Sequence, residues 1–379
     1  MYIPLSRPDI SPREKKYIIE VLDSGHLSFG EKLHKFEQSF CSTFQSKYAV
    51  AMNSGTSALH VAVKSLGLGT GDEVITTPYS FIASSNCLLY EGVTPIFVDI
   101  DPVTLNMDID KIEKAITPKT RAILPVHIFG HPNNMDQIME IATKYQLGVI
   151  EDACEAIGAK WKEKKVGTIG DAGVFAFYPN KQITTGEGGI LLTDSEEIYH
   201  LACSLRNQGR DQKSKWLNHS IIGYNYRMSD LQAAIGLAQM ERLNEILINR
   251  EEVANRYFEL IADYQLPVTI PHSLPQSKKS WFVFIILLHS SINRDLLSET
   301  LAQKGIETKP YFPTIHLQTS YQYRFGYSPG DYPISEDIAN RSLAIPFHTK
   351  LTYTEQQYVI DHLAFELERM MKNGIENRK

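Results

Sequence analysis

Between residues 48 and 193 the apolar residues fall in short continuous runs, at 48–52, 73–76, 95–98, 122–126, 148–150, 173–177 and 189–192. Turns and stretches of helical spacing separate them. Strands that are apolar throughout, with no polar alternation, are covered on both faces. Their alternation with helices predicts a mostly parallel sheet flanked by helices, an α/β domain. Over 231–252 the apolar residues recur at the spacing of a single long helix. Beyond it, 281–288 reads as a strand and 291–304 and 354–371 read as helices, which together make a small α+β lobe. A chain of 379 residues exceeds one small core. The expected division is a large ligand-binding domain over 1–250 and a small C-terminal domain over 251–379, with the N-terminal segment free to pack on the latter.

Composition narrows the partners. The net charge is −6, and the basic residues are dispersed among acidic ones. That pattern leaves no footprint for a nucleic-acid backbone. A small phosphate stays open, since backbone amides and one or two cations suffice to hold it. Cys41, Cys87, Cys154 and Cys203 lack the paired spacing of a zinc or redox site, and no metal is expected. They read as reduced thiols of a cytoplasmic protein. The first residues lack the pattern of a signal peptide. The longest apolar run, 281–288, falls well short of the roughly 20 residues that span a bilayer.

In such sheets ligands bind beyond the carboxyl ends of the strands, and three loops there carry chemistry. Asn53-Ser54-Gly55-Thr56-Ser57-Ala58-Leu59 opens a helix with free N–H groups and hydroxyls, which suits a phosphate. An ordinary Ser/Thr N-cap reads the same way. Asp152 ends a strand, where its carboxylate can keep a pyridinium nitrogen protonated, as the electron-sink chemistry of pyridoxal 5'-phosphate requires. A helix N-cap is its plainer role. Lys181 lies between two strands in the glycine-rich text 178–189, and glycines there let backbone pass close to a ligand. Alone, a lysine is solvated charge.

Taken together the motifs are more specific. Asn180-Lys181-Gln182-Ile183-Thr184-Thr185-Gly186-Glu187-Gly188-Gly189, with Ser54-Gly55-Thr56-Ser57-Ala58-Leu59-His60, Gly71-Asp72-Glu73-Val74-Ile75-Thr76-Thr77-Pro78-Tyr79-Ser80-Phe81, Glu151-Asp152-Ala153-Cys154-Glu155-Ala156 and Gly223-Tyr224-Asn225-Tyr226-Arg227-Met228, resembles the DegT/DnrJ/EryC1/StrS sugar aminotransferases. The resemblance runs over nearly the whole chain. It implies the fold type I architecture of pyridoxal-phosphate transferases and a homodimer with active sites at the interface. By the same resemblance Lys181 holds the cofactor as a Schiff base, Asp152 faces the pyridine nitrogen, and Phe81 stacks on the ring. Gly55, Thr56 and Ser57 surround the phosphate, with Gln182 and the partner's Asn225 sharing it, and Glu155 lies near the cofactor. Arg227, Tyr311 and His316 match positions near a nucleotide sugar. One departure stands out: many members carry serine five residues before the lysine, and here that residue is Ala176.

The implied activity moves an amino group from L-glutamate to a nucleotide-linked 3- or 4-keto-6-deoxyhexose, for amino-sugar and polysaccharide biosynthesis. Two other readings stay open: an aminotransferase acting on a non-nucleotide ketone such as a cyclitol, and a non-catalytic protein that binds pyridoxal phosphate or a nucleotide sugar. Relatives that dehydrate sugars on this scaffold carry histidine in place of the lysine, whereas Lys181 is present.

Overall fold

The computed structural model describes residues 1–211 and 217–376. Its seven-stranded sheet takes the strands β1 (Tyr48–Met52), β2 (Glu73–Thr76), β3 (Thr94–Phe97), β4 (Thr120–Ile123), β5 (Gly148–Asp152), β6 (Ala172–Ala176) and β7 (Gly189–Thr193) in the order β1-β7-β6-β5-β4-β2-β3. Only β7 runs against the rest, pairing antiparallel with β1 and β6. The other six therefore end at one edge, which receives Asp152 from β5, Ala176 from β6 and the loops after β1 and β2. This is the mixed, mostly parallel sheet expected of a fold type I transferase.

Alternate residues of every strand but β3 feed two cores. Ala49, Ala51 and Ile190 face one, built with α2 (Glu31–Phe44) through Leu33, Phe36, Phe40 and Phe44. Val50, Met52 and Leu191 face the other, built with α3 (Gly55–Ser65) through Ala58, Leu59 and Ala62. Covering both faces is what the uninterrupted apolar runs demand.

The single helix expected over 231–252 is two, Asp230–Glu241 and Leu243–Asp263, which meet at Arg242. The guanidinium of Arg242 fastens the break, at 3.3 Å from Glu14, 3.4 Å from Asp9 and 3.1 Å from Glu245. The second of these helices passes from one core to another, with Ile246 in the large-sheet core and Val253, Tyr257 and Leu260 in the core of a second lobe. That lobe contains the antiparallel strands Val268–Thr269, Phe284–Leu288 and Ser342–Ile345 and the long helix Tyr353–Glu376. Ile3, from the N-terminal segment, is buried in it too. The strand read over 281–288 begins only at Phe284 because Arg250 takes the carbonyls of Trp281 and Phe282, each at 2.6 Å. Among the described residues no helix is long and apolar enough to cross a membrane, and no group of side chains suits a metal ion. None of the four cysteines forms a disulfide.

Candidate active site

A cavity of about 800 Å3 opens at the carboxyl edge of the sheet. The large sheet supplies Ser54, Gly55 and Thr56 after β1, Ser80, Phe81 and Ser84 after β2, Asp152 and Glu155 from β5, and Ala176 and Lys181 after β6. Phe282 and the segment from Lys309 to Pro313 close it from the second lobe.

The floor is the start of α3. Ser54 caps the helix, its hydroxyl accepting from Ser57 N at 3.1 Å. The N–H groups of Gly55 and Thr56 belong to the first turn, which has no intrahelical acceptor to offer them. A Cβ on Gly55 would stand 2.5 Å from that of Ala176, so glycine alone lets the helix start press against β6.

Asp152 is buried and held at both oxygens. Ser84 donates to Oδ2 at 2.6 Å, Cys154 N donates to Oδ1 at 3.1 Å, and the Ser80 and Ser84 hydroxyls lie 2.8 Å apart. Its carboxylate is thus fixed in orientation beside the cavity. Lys181 Nζ stands 3.1 Å from Glu155 Oε1 and 4.0 Å from the centre of the Phe282 ring. Burial pushes the Glu155 carboxyl above its ordinary value, against the opposing pull of the Lys181 charge. Glu155 also accepts from Phe129 N at 2.9 Å. Phe81 keeps 57% of its surface exposed, with its ring 6.3 Å from that of Phe312. An aromatic left this open at a cavity mouth is not part of the core packing. Tyr311 completes the wall. Burial, with the Glu155 charge adding to it, lifts its phenol to about 12, so it stays protonated near neutral pH. Its carbonyl accepts from the hydroxyls of Tyr79 and Ser342, which fix the segment in place.

Of the residues singled out in the sequence, Gly55, Thr56, Phe81, Asp152, Glu155, Lys181 and Tyr311 meet in this one cavity. Ser57 lies just behind the floor, its hydroxyl 2.9 Å from that of Ser54. The structure places the side chains of two others away from this cavity. Gln182 is 4% exposed and its amide donates to Glu155 O at 2.6 Å and to Ser280 Oγ at 3.1 Å, so its side chain ties the lysine loop to the second lobe. His316 is wholly buried, 3.0 Å from Glu336 and packed against Tyr332. Its neighbours Ile315 and Gln318 face the cavity and it does not, because Ile315 N is tied to Pro78 O at 2.8 Å. Arg227, bound to Asn207 at 3.0 Å and Gln208 at 3.1 Å, and the exposed Asn225 also lie outside the cavity of this subunit. Sequence reasoning missed Ser80, Ser84, Asn180, Phe282 and Lys309. Ser80 precedes the helix Ala83–Leu89 that carries Ser84, so the two share no helical period to read; Phe282 and Lys309 carried no signal either.

The donor set suits pyridoxal phosphate: a primary amine, a fixed carboxylate, an open aromatic face and a helix N-terminus lie around one cavity of the right order of size. Ala176 offers no hydroxyl to this end of the cavity, where the N–H groups at the start of α3 are the donors.

Comparison with known proteins agrees. The profile of the DegT/DnrJ/EryC1/StrS aminotransferase family matches residues 8–364. The chain is 39% identical over 361 residues to GDP-perosamine synthase of Caulobacter vibrioides, covering 94% of this chain and 96% of that one. It is 36% identical over 375 residues to the spore coat polysaccharide biosynthesis protein SpsC of Bacillus subtilis, covering 95% and 96%. Helicobacter pylori PseC, an aminotransferase involved in the biosynthesis of pseudoaminic acid, superposes with a TM-score of 0.92 at 30% identity, over 97% of this chain and all of that one.

Proposed function

This chain belongs to the DegT/DnrJ/EryC1/StrS aminotransferase family and is a pyridoxal-phosphate-dependent aminotransferase, and on that premise we propose that it aminates a nucleotide-linked 3- or 4-keto-6-deoxyhexose with L-glutamate as donor. The observation that carries the reading is the meeting of Lys181, Asp152 and the start of α3 in one cavity. The substrate class is supported by the relatives, one named for a GDP-linked sugar and another for a polysaccharide. We further propose that the protein acts in the cytoplasm as a homodimer, with the division between domains near residue 250.

When bound, pyridoxal phosphate supplies an aldehyde that condenses with amines and a ring that takes up electron density. In this reading Lys181 would hold the cofactor through its ε-amine and, once freed, would move a proton to and from the α-carbon of the donor. A lysine is ordinarily protonated up to about pH 10.4, so it must be relieved of that proton to act as a base. Glu155, 3.1 Å away, is placed to orient that amine, and burial raises its own carboxyl above the ordinary value against the pull of the Lys181 charge. Asp152, its orientation fixed by Ser84 and Cys154 N, would face the pyridine nitrogen. Phe81 would cover the ring, and the N–H groups of Gly55 and Thr56 would receive the phosphate, with Ser57 supporting them. Asn225, exposed on its own subunit, would reach the phosphate of the neighbouring site, and Arg227 beside it the nucleotide.

Borohydride treatment of the pyridoxal-phosphate-loaded protein followed by peptide mapping tests the assignment. The reading expects the cofactor mass on the peptide containing Lys181, its absence in Lys181→Ala, and glutamate consumption beyond one equivalent per cofactor only when a keto sugar nucleotide is supplied. Label on another lysine, or undiminished turnover by Lys181→Ala, would remove Lys181 from the role.

A further inference from the structure

The cavity wall carries more acid than base. Asp152, Glu155 and Glu187 line it, and Lys181 and Lys309 are the only lysines or arginines among the described lining residues. Lys181 is already paired with Glu155. Lys309 is exposed and has no carboxylate partner among the described residues. Its backbone is nonetheless locked, with N donating to Ala344 O at 3.2 Å and O accepting from Ala344 N at 2.8 Å. A fixed Cα with a free ammonium at a cavity mouth is a cation waiting for an external anion.

The wall beside it is incomplete too. Two residues on, the Tyr311 hydroxyl accepts from Asn180 Nδ2 at 3.3 Å, while Asn180 Oδ1 is buried without a partner. Oxygen and nitrogen of an amide exchange places by a half-turn, so one end of Asn180 is unpaired in either assignment. Buried polar atoms are nearly always bonded, and an unpaired one on a residue that lines a cavity is a polar group a ligand or water can complete. The phenol of Tyr311 stays protonated near neutral pH and can donate.

Both substrates of the proposed reaction bring oxyanions into this acidic cavity, as carboxylates of the donor or phosphates of the nucleotide. We propose that Lys309, Tyr311 and Asn180 form a subsite that binds a substrate oxyanion and sets substrate selectivity. The inference rests on the aminotransferase reading.

Calorimetric titration of the cofactor-loaded protein with maleate, a carboxylate probe, and with pyrophosphate tests it without turnover. Lys309→Met should weaken one probe at least about fivefold, as loss of a charge-assisted hydrogen bond requires, and Lys309→Arg should retain binding. Loss confined to maleate assigns the subsite to the amino donor, and loss confined to pyrophosphate assigns it to the nucleotide. Binding of both probes by Lys309→Met within twofold of wild type, or of neither probe by wild type, overturns the subsite. A wild-type protein whose cofactor is unchanged by glutamate would instead overturn the aminotransferase reading, so the two failures are distinct.

Discussion

Gly55 opens α3 at the point where the helix start touches β6, and adding one methyl there sets two effects against each other. Alanine has the higher helix propensity, by at most about 1 kcal/mol and less at the first residue of a helix. Against it, the new Cβ would lie 2.5 Å from Ala176 Cβ, where carbon atoms ordinarily stand about 3.5–4.0 Å apart. Ala176 cannot turn aside, since it has no side-chain torsion and ends a strand paired on both sides. The helix start must move instead. Overpacking of this kind costs about 1–3 kcal/mol. In the proposed site that displacement carries the N–H groups of Gly55 and Thr56 away from the phosphate, so Gly55→Ala should weaken pyridoxal phosphate by roughly 5- to 150-fold.

The same geometry predicts a rescue. Apart from that methyl, the nearest atoms to the new Cβ are Cys154 Sγ at 3.4 Å and Ala176 Cα at 3.5 Å, both close to ordinary contact. Removing the opposing methyl with Ala176→Gly should therefore restore most of the affinity in the Gly55→Ala background. Equilibrium titrations of the cofactor by absorbance on wild type, both single variants and the double variant measure the coupling, expected to be at least about 1 kcal/mol in favour of the double variant. Additive losses, or a Gly55→Ala protein that binds the cofactor within twofold of wild type, would refute the argument that this contact holds the phosphate cradle in place.

Two further perturbations address the carboxylate and the acid limit. Ser84→Ala removes a 2.6 Å hydrogen bond to buried Asp152, a bond to a charged group worth roughly 1.5–3 kcal/mol; kcat should fall about tenfold or more with KM less affected, Ser84→Thr should recover it, and a wild-type rate in Ser84→Ala would separate the serine pair from the orientation of Asp152. His348 is buried with neither ring nitrogen bonded, and burial lowers its pKa to about 4, outweighing the opposing pull of Glu355. Because the folded value lies below the unfolded one, the unfolded chain binds the extra proton and stability falls as pH drops from about 6.5 towards 4, by up to about 3 kcal/mol from this group. Urea melts across that window should show the slope, His348→Phe should flatten it, and an unchanged slope in that variant would assign the acid sensitivity elsewhere.

How much of this was legible in the chain depends on what each residue's role consists of. The strands of the large sheet could be read because burial on both faces forces uninterrupted apolar runs, and six of the seven share two registers of packing that any such run satisfies. Positions immediately after those strands, such as Gly55, Asp152 and Lys181, could be read as well, because the edge of a parallel sheet fixes where they sit before any tertiary contact is known. What failed was direction. Gln182 follows Lys181 by one residue, yet its amide turns to Glu155 O and Ser280, and His316 turns to Glu336 while Ile315 and Gln318 face the cavity. In loops without a repeating period, adjacency along the chain leaves the side-chain direction open, and remote partners decide it. The breaks at Arg242 and before Phe284 have the same origin, since arginines reach across the fold to carboxylates in one case and to backbone carbonyls in the other. Lys309 is the clearest instance: its bonds to Ala344 fix its backbone, and nothing local to residue 309 encodes them. A cation of this kind becomes visible only when the charges around a cavity are counted.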